Sequence, residues 1–151
     1  MTEDITIRTA LVSEQQALEA LQWRASLNNP GDRDALLANP DAIRVPVEQI
    51  AGGQVFVVED AGSIRGFAAI LPRQDGDAEL DALFVEPQTW RRGYGRKLVD
   101  HCCHAARAHG AHALCVVANP HAEGFYLACG FEMAGTTQTQ FGIGWLMRKP
   151  L

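Results

Sequence analysis

A glycine turn flanked by arginines carries the residues best suited to chemistry in this sequence. The segment LDALFVEPQTWRRGYG, residues 80–95, passes from an apolar stretch through a proline into a Gly-x-Gly turn, where a helical pattern begins. Such a turn directs several backbone N–H groups and a helix N-terminus at one point, which favours binding of a phosphate group. The turn therefore predicts a site for a phosphorylated cofactor.

Positive charge collects beside this turn, although the chain as a whole is acidic. The cations within residues 91–97 are Arg91, Arg92, Arg96 and Lys97. The whole chain has 13 lysines and arginines against 18 aspartates and glutamates, a formal net charge of −5, which argues against nucleic acid as its main partner. A solvated helix start and an anion pocket would both account for the cluster, and the adjoining glycines favour the pocket.

Hydrophobic patterning predicts the elements that position this turn. The length of 151 residues is most simply that of one domain, residues 1–151. Helical spacing predicts a first helix capped by a box at Ser13 and ended by residues 28–31, and one or two short helices within 32–51. It also predicts a long helix from Gly93 to residues 109–110 and a short helix that ends at Gly130. Strands are predicted at residues 5–9, 54–59, 63–72, 79–85, 113–118, 131–139 and 144–148, which makes a mixed α/β fold.

Two common phosphate-binding loops do not fit the turn. The dinucleotide fingerprint needs a third glycine where the chain has Leu98, and no strand-borne acidic residue follows at the usual distance. A Walker A loop needs Gly-Lys-Ser or Gly-Lys-Thr, which the sequence lacks. The phosphate loop must therefore belong to another class.

The turn and a second segment together resemble the GNAT superfamily of N-acetyltransferases. That family's pyrophosphate loop reads Gln/Arg-x-x-Gly-x-Gly/Ala and follows a strand that ends in a hydrophobic residue, one further residue and often a proline. Here residues 85–87, VEP, precede residues 90–95, WRRGYG. Residues 119–131, NPHAEGFYLACGF, are similar to the family's Asn…Phe-Tyr-x-x-x-Gly-Phe segment, and the order of elements agrees. Trp90 departs from the pattern, because the family usually has Gln or Arg at that position.

The resemblance implies a GNAT fold, a mostly antiparallel splayed sheet flanked by helices, and acetyl-coenzyme A as co-substrate. The pyrophosphate would bind the N–H groups of residues 92–97. The pantetheine arm would pair with free backbone groups of Leu83 and Val85, where the sheet splays. The Val85 N–H would face the thioester carbonyl, and such a donor contributes roughly 3–4 kcal/mol to transition-state stability in other enzymes. The implied cofactor-binding residues are Leu83, Phe84, Val85, Arg91, Arg92, Gly93, Tyr94, Gly95, Arg96, Lys97, Asn119 and Tyr126.

Acetyl transfer to an amine needs a group that removes a proton from the amine. A lysine-like amine has a pKa of about 10.4, so only about one molecule in 10³ is neutral near pH 7. Glu79 lies eleven residues before Trp90, the offset at which histone-type members of the family carry their base, and Asp81 shares its strand face. Glu79, Asp81 and a water relay are the alternatives for the base. Both carboxylates could equally be solvent-facing residues of a half-exposed strand.

The departing thiolate also needs a proton, and Tyr126 occupies the position of the family's general acid. A phenol with a pKa of about 10 is still protonated at pH 7. A core tyrosine on the apolar face of a short helix is the alternative reading. Asn119 could cap that helix, hydrogen-bond the cofactor arm or do both.

The cysteines and histidines predict neither a metal site nor a covalent intermediate. The four cysteines, which show no Cys-x-x-Cys spacing, are Cys102, Cys103, Cys115 and Cys129. None of them stands with a histidine and a third group in a recognisable triad, so an acyl-enzyme is not expected. Residues 101–104, HCCH, have the spacing of neighbours on one helix, so Cys102 is expected in the core and His101 at the surface.

The ends and apolar content of the chain predict a cytoplasmic protein with reduced thiols. The N-terminus, MTEDITIRT, lacks the basic start and apolar core of an export signal. No apolar stretch approaches the ~20 residues of a membrane helix, so no membrane partner is expected. A homodimer is expected from the family resemblance alone.

These features together predict an N-acetyltransferase that moves an acetyl group from acetyl-coenzyme A to a primary amine by direct attack in a ternary complex. The acidic net charge and the lack of a peptide-groove signature favour a small-molecule acceptor. Acetylation of a protein N-terminus or lysine is the alternative within enzymes. A non-catalytic coenzyme A-binding or sensing module on the same fold is the alternative from another class.

Overall fold

Seven strands form one mixed sheet in the computed structural model, which describes residues 5–28, 33–139 and 142–151. The order across the sheet is β1-β2-β3-β4-β5-β7-β6. β4 and β5 run parallel, and the other neighbouring pairs of these strands are antiparallel. The strands are β1 (Ile5–Thr9), β2 (Val55–Asp60), β3 (Ser63–Pro72), β4 (Ala78–Val85), β5 (Ala113–Ala118), β6 (Glu132–Thr139) and β7 (Gly142–Pro150). The mixed α/β fold predicted from the sequence is confirmed.

Helices flank both faces of this sheet. Within the described ranges they are α1 (Gln15–Leu27), α2 (Arg33–Ala38), α3 (Val47–Ala51), α4 (Tyr94–Ala108) and α5 (Glu123–Ala128). Short 3-10 turns precede α1, α4 and α5, at Val12–Glu14, Pro87–Thr89 and Pro120–Ala122. α4 is amphipathic, because Leu98, Cys102 and Ala106 recur at helical spacing and are all buried.

The sheet separates two apolar cores. On one face α4 packs on strand residues such as Val58, and on the other face Leu18 and Leu21 of α1 pack on Val57 and Phe67. Strand alternation makes this division, because neighbouring residues such as Val57 and Val58 point to opposite faces. Burial of each such side chain contributes roughly 1.5–3 kcal/mol, so both cores hold the strands in place.

β4 and β5 remain paired for only a short distance. The paired residues are Ala78 with Leu114 and Glu79 with Cys115. Beyond them β4 continues against β3, whereas β5 continues against β7. Among the residues that the structure describes, no strand therefore lies beside this edge of β4 from residue 80 onward. The sheet is splayed at the strand where the family resemblance implied it.

A β-bulge in β4 determines which side chains face each core. Ala69 of β3 pairs with Ala82, but the next residue, Ile70, pairs with Leu80, so Asp81 is the extra residue. Leu80 consequently packs in the core beneath α4, and Ala82 packs in the core beneath α1. Without the bulge these two residues would share one face of the strand.

The start of α1 differs from the prediction. The helix begins at Gln15 after a 3-10 turn, and Ser13 is an exposed residue of that turn. The capping contact lies one turn earlier: Glu14 is the third residue of the 3-10 turn, its Oε1 accepts the N–H of the N-cap residue Leu11 at 2.8 Å, and its carboxylate pairs with Arg8 of β1. The predicted capping box at Ser13 is therefore wrong.

The remaining predicted boundaries agree with the structure to within a few residues, although parts of two loops cannot be compared. The predicted end of α1 at residues 28–31 falls partly on residues 29–32, which lie outside the described ranges, as do residues 140–141. Cys102 lies in the core as predicted, but His101 is half-buried rather than at the surface. Its ring packs edge-on against Phe56, with 4.6 Å between ring centroids, because position 101 borders the apolar stripe of α4.

Candidate active site

The turn that was predicted to hold phosphate has a left-handed backbone at two positions. The φ angles of Arg91 and Gly93 are 73° and 83°. A left-handed conformation costs a non-glycine residue such as Arg91 roughly 1–2 kcal/mol, and such strain is found mainly where the surrounding structure requires it. Here it directs the chain from the Pro87–Thr89 turn into the N-terminus of α4.

Free backbone donors collect at the start of α4. Gly93 is the N-cap residue, and no side chain caps the helix. The first intrahelical hydrogen bond runs from the Lys97 N–H to the Gly93 C=O at 3.1 Å, so the helix supplies no acceptor for the N–H groups of residues 93–96. These donors and the helix dipole stabilise an anion at this end of α4.

Gly95 lets the first turn of α4 approach its neighbours closely. A Cβ atom at this position would lie 3.2 Å from Cζ of Phe125 on α5 and 3.6 Å from Cγ2 of Val85 on β4. The first distance is shorter than the normal separation of packed carbon atoms. The missing side chain therefore allows the helix N-terminus, α5 and the end of β4 to meet.

A first cavity, of about 570 Å³, lies between this turn, β4 and α5. Its volume is typical of small-molecule sites. Its lining includes most of the predicted cofactor-binding residues but not Arg92, Lys97 or Asn119. The lining residues are Ala25, Leu83, Phe84, Val85, Thr89, Trp90, Arg91, Gly93, Tyr94, Gly95, Arg96, Ala122, Phe125, Tyr126, Ala128 and Cys129.

A second cavity, of about 800 Å³, adjoins the first along β4 and is also lined by β5. The two cavities share four lining residues, namely Leu83, Phe84, Ala122 and Tyr126. The remaining lining residues of the second cavity are Gln22, Ser26, Leu36, Ala42, Ile43, Leu80, Asp81, Ala82, Val116, Val117, Ala118, Asn119, Pro120, His121, Thr139, Ile143 and Gly144. The open edge of β4 and Tyr126 therefore stand where the two cavities meet.

The backbone groups of Val85 point away from β3, toward the gap in the sheet. The Glu86 N–H donates to the Arg65 C=O of β3 at 2.7 Å, and backbone groups alternate in direction along a strand. Leu83 and Val85 therefore direct their N–H and C=O groups toward the side from which β5 has diverged. These are the groups to which the family resemblance assigned the pantetheine arm.

Trp90, the residue that departs from the family pattern, is bonded to this same edge. Its Nε1–H donates to the Val85 C=O at 2.9 Å, while 44% of the residue remains exposed. A carbonyl oxygen has two lone pairs, so the Val85 C=O can still accept a second donor. No sequence motif marks this contact, because it depends on the fold of the loop between the two residues.

Tyr126 is buried between two aromatic rings at the junction of the cavities. Its ring packs edge-on against Phe125 and Phe131, with centroid distances of 5.1 and 5.3 Å. Burial raises the pKa of the Tyr126 hydroxyl above its usual value. The phenol is therefore protonated throughout the neutral range and can act as a proton donor. Both readings of this residue apply, because it is a core side chain that also lines both cavities.

The two candidate bases are placed differently. Asp81 lies on the bulge of β4 and lines the second cavity. Its Oδ2 is 3.5 Å from Nε2 of Gln49 on α3. Glu79 is half-buried in the short paired segment of β4 and β5 and lines neither cavity. The structure thus brings Asp81, rather than Glu79, into the cavity that contains Tyr126.

Asn119 and Tyr94 both have structural partners. The Asn119 Oδ1 accepts the His121 N–H at 2.9 Å, which caps the turn before α5, and the residue lines the second cavity. The side chain of Tyr94 is buried in the core beneath α4, and its hydroxyl donates to Asp60. This bond raises the pKa of Tyr94 and connects the start of α4 to the end of β2.

A bidentate ion pair that the sequence did not reveal joins α1 to the loop after β4. Nε and Nη2 of Arg24 donate to the Glu86 carboxylate at 2.8 and 2.7 Å. The guanidinium lowers the pKa of Glu86. Ala25, the residue after Arg24, lines the first cavity, so this pair holds α1 in place along its wall. No local pattern could predict the contact, because its partners are 62 residues apart.

The described part of the chain contains neither a cluster of metal ligands nor a helix suited to crossing a membrane. No group of three or more histidine, cysteine, aspartate and glutamate side chains there is arranged to hold a metal ion. None of the helices there is both long enough and apolar enough to cross a membrane.

Comparison with known families identifies the class of protein. The model of the acetyltransferase (GNAT) family matches residues 16–131. The chain belongs to this family. The resemblance drawn from residues 85–95 and 119–131 is thereby confirmed, and so is the predicted enzyme class, a GNAT-type N-acetyltransferase. No protein of curated function matches the sequence.

Solved structures share the fold over the whole length of the chain. A GCN5-related N-acetyltransferase from Rhodopseudomonas palustris superposes with a TM-score of 0.79 at 22% identity, covering 100% of this chain and 99% of that one. The PaiA N-acetyltransferase of Thermoplasma acidophilum, in complex with coenzyme A, gives 0.80 at 15% identity and covers 100% of both chains. N-acetylglutamate synthase from Neisseria gonorrhoeae, complexed with coenzyme A and N-acetyl-glutamate, gives 0.73 at 21% identity, covering 97% of this chain and 35% of that one.

The left-handed turn generates a prediction for cofactor binding. In Gly93→Ala, the added Cβ meets no atom within 4 Å. Any effect therefore comes from the backbone of residue 93, whose φ of +83° is unfavourable for alanine. We expect a loss of about 1 kcal/mol in the free energy of unfolding and at least a tenfold weaker Kd for coenzyme A, because the donors at the start of α4 are displaced. Thermal unfolding and isothermal titration calorimetry measure the two effects.

Gly110→Ala is the matched control. Gly110 also has a positive φ, 86°, and open space for a Cβ, but it follows the other end of α4. We expect the same loss of stability with an unchanged Kd for coenzyme A. Equal weakening of coenzyme binding in both variants would show that the Gly93 turn has no special role.

Proposed function

We propose that this GNAT acetyltransferase transfers an acetyl group from acetyl-coenzyme A to the primary amine of a small molecule, by direct attack within a ternary complex. The observation that carries the proposal is the meeting of two cavities at Leu83, Phe84, Ala122 and Tyr126, beside the open edge of β4. The first cavity would hold the coenzyme arm and the second the acceptor. Thioester and amine would then meet at Tyr126.

The coenzyme side rests mainly on the backbone. The N–H groups of residues 93–96 would bind the pyrophosphate, with the side chains of Arg91 and Arg96 at the cavity wall. Arg92 and Lys97 would add only longer-range attraction, since they lie outside the lining. Two of the structural neighbours described above were solved with coenzyme A, which supports this assignment.

Attack on the thioester would be assisted at three atoms. The Val85 N–H would donate to the carbonyl oxygen as it gains negative charge, a contribution of roughly 3–4 kcal/mol where such donors have been removed elsewhere. Asp81 would receive the ammonium of the acceptor and accept its proton directly or through water. Glu79 remains the second candidate for the base, acting through a water relay. The Tyr126 hydroxyl would protonate the coenzyme thiolate as it leaves.

A covalent acetyl-enzyme is not part of the proposal. Cys129 lines the first cavity, but burial raises the pKa of its thiol, which disfavours the reactive thiolate. Among the described residues that line that cavity there is no histidine to activate the thiol. Direct attack by the amine avoids this requirement.

Several properties predicted from the sequence remain proposals. They are a cytoplasmic location, a homodimer and the organisation of residues 1–151 as one domain. Acetylation of a protein N-terminus or lysine, and a non-catalytic coenzyme A-sensing role, are the alternative functions. The acidic net charge of the chain favours a small acceptor. Thiol release that depends on an added amine would exclude the sensing role.

Removal of the Tyr126 hydroxyl tests its role as the acid. In Tyr126→Phe we expect kcat to fall by at least about 100-fold, the usual contribution of a general acid, with little change in the Kd for coenzyme A. Tyr94→Phe is a comparison variant in the wall of the first cavity, because it removes a hydroxyl that bonds to Asp60 rather than one at the junction of the cavities. It should lower stability by about 1 kcal/mol and reduce kcat far less than Tyr126→Phe does. Similar turnover in Tyr126→Phe and the unmodified protein would contradict the assignment.

The two carboxylates are distinguished by neutral amide replacements. Because Asp81 lines the second cavity and Glu79 does not, Asp81→Asn should lower kcat/KM for an amine by at least about 100-fold, and Glu79→Gln by less than about tenfold. Steady-state thiol release measures both effects. The reverse order of effects would make Glu79 the base.

The pH dependence of turnover follows from the raised pKa of Tyr126. The acid is active in its protonated form and is lost only as pH rises through its pKa, which burial shifts upward from about 10. We therefore expect no loss of kcat assignable to this group up to pH ~10. Suppose that kcat already falls as the pH rises toward ~9, and that this fall is absent in Tyr126→Phe. The pKa of the Tyr126 hydroxyl would then be lower than about 10, which would contradict the upward shift by burial.

A further inference from the structure

The second cavity contains very little charge. Among the described residues that line it, Asp81 is the one carboxylate and His121 the one imidazole, and none is a lysine or arginine. The segments outside the described ranges, residues 1–4, 29–32 and 140–141, contain no lysine or arginine either. Any charge complementarity that this cavity offers is therefore directed at a cation.

An anionic group on the acceptor would find no lysine or arginine, and only the His121 imidazole as a possible cation, among the described lining residues of this cavity. A carboxylate or phosphate that leaves water without a matching cation loses several kcal/mol of solvation, and Asp81 would repel it as well. Arg44 is exposed and follows the lining residue Ile43 in sequence, but it is not part of the lining. An α-amino acid or a phosphorylated amine therefore fits the cavity poorly.

An apolar wall forms part of the second cavity, beside polar lining residues such as Gln22, Asn119 and His121. The wall consists of side chains from α2, the segment after it, β4, β5 and β7, namely Leu36, Ile43, Leu80, Val116, Val117 and Ile143. Val117 and Ile143 are 41% and 58% exposed, so an apolar ligand body could remove further surface from water. Such burial contributes about 25 cal/mol per Å². The wall therefore favours an aliphatic or aromatic body.

The position of Asp81 sets the orientation of such a ligand. Asp81 is the bulge residue of β4, two positions before Leu83, which lines both cavities. An ammonium at Asp81 would consequently lie near the junction where the thioester is expected, with the apolar body extending toward β5 and β7. A second ammonium on the same ligand would find no further carboxylate among the described lining residues.

We infer that the acceptor is a primary monoamine with an apolar body and no anionic group. The inference rests on the proposed function, since it takes the second cavity as the acceptor site. It selects hydrophobic amines over α-amino acids, phosphorylated amines and polyamines.

A matched set of ligands tests this selectivity. 2-Phenylethylamine, phenylalaninamide and phenylalanine share one aromatic body and one amine, but only phenylalanine carries a carboxylate, and spermidine represents polyamines. Each is titrated calorimetrically into the protein saturated with coenzyme A, and kcat/KM is measured by thiol release from acetyl-coenzyme A. We expect 2-phenylethylamine and phenylalaninamide to exceed phenylalanine at least about 100-fold in both measurements, because the carboxylate is unpaired. Spermidine should bind more weakly than 2-phenylethylamine.

Two protein variants, one inside the cavity lining and one outside it, provide a second test of the same inference. Ile43→Arg places a cation in the lining. It should reduce the ratio of kcat/KM for 2-phenylethylamine to that for phenylalanine at least tenfold. Arg44→Gln removes an exposed cation outside the lining and should leave the preference unchanged. An unchanged Kd for coenzyme A in both variants shows that the first cavity is intact.

The outcomes separate this inference from the proposed function. Acetylation of phenylalanine or spermidine as efficiently as 2-phenylethylamine overturns the inference and leaves acetyl transfer standing. Selective binding of 2-phenylethylamine without thiol release overturns the transferase proposal and supports the assigned ligand class. Failure of all these amines to bind the coenzyme-saturated protein overturns the inference.

Discussion

The early separation of β4 from β5 is the constraint on which the rest of the site depends. A strand inside a sheet normally has its backbone groups bonded on both sides, and an unpaired buried group costs roughly 1–3 kcal/mol. Here the pairing stops after Glu79 and Cys115, and the edge of β4 that follows needs other partners. Trp90 provides one of them through its bond to the Val85 C=O. An extended ligand with amide groups, such as a pantetheine arm, is suited to the others.

The two sides of the site are built by different means. The proposed coenzyme side is formed largely by backbone geometry, through the left-handed Gly93, the N-terminus of α4 and the close approach at Gly95. The proposed acceptor side is formed by side chains, chiefly Asp81 and the apolar wall of the second cavity. Relatives at about 20% identity share the fold, and the fold maintains the first kind of feature more readily than the second. Family membership therefore says more about the coenzyme than about the acceptor.

Local patterns in the sequence predicted much of this architecture. The bounds of β3 and β5 and the course of α4 depend on alternation, apolar runs and helical spacing, all of which lie within a few residues of one another. The glycine turn was recognisable because the N–H groups expected to bind phosphate belong to its own backbone. Contacts between distant residues were not recognisable. The pair of Arg24 with Glu86 and the bulge at Asp81 depend on how separate elements pack, and the cavities result from that packing.

The same difference explains why chain spacing and structure favour different carboxylates as the base. Spacing along the chain pointed to Glu79, whereas the bulge and the divergence of β5 bring Asp81 into the second cavity. A crystal structure of the protein with bound coenzyme A would test the arrangement most directly. We predict that the amides of the pantetheine arm pair with the backbone of Leu83 and Val85, and that the thiol lies within hydrogen-bonding reach of the Tyr126 hydroxyl. A coenzyme whose arm lies away from this edge, with its thiol remote from Tyr126, would contradict the account.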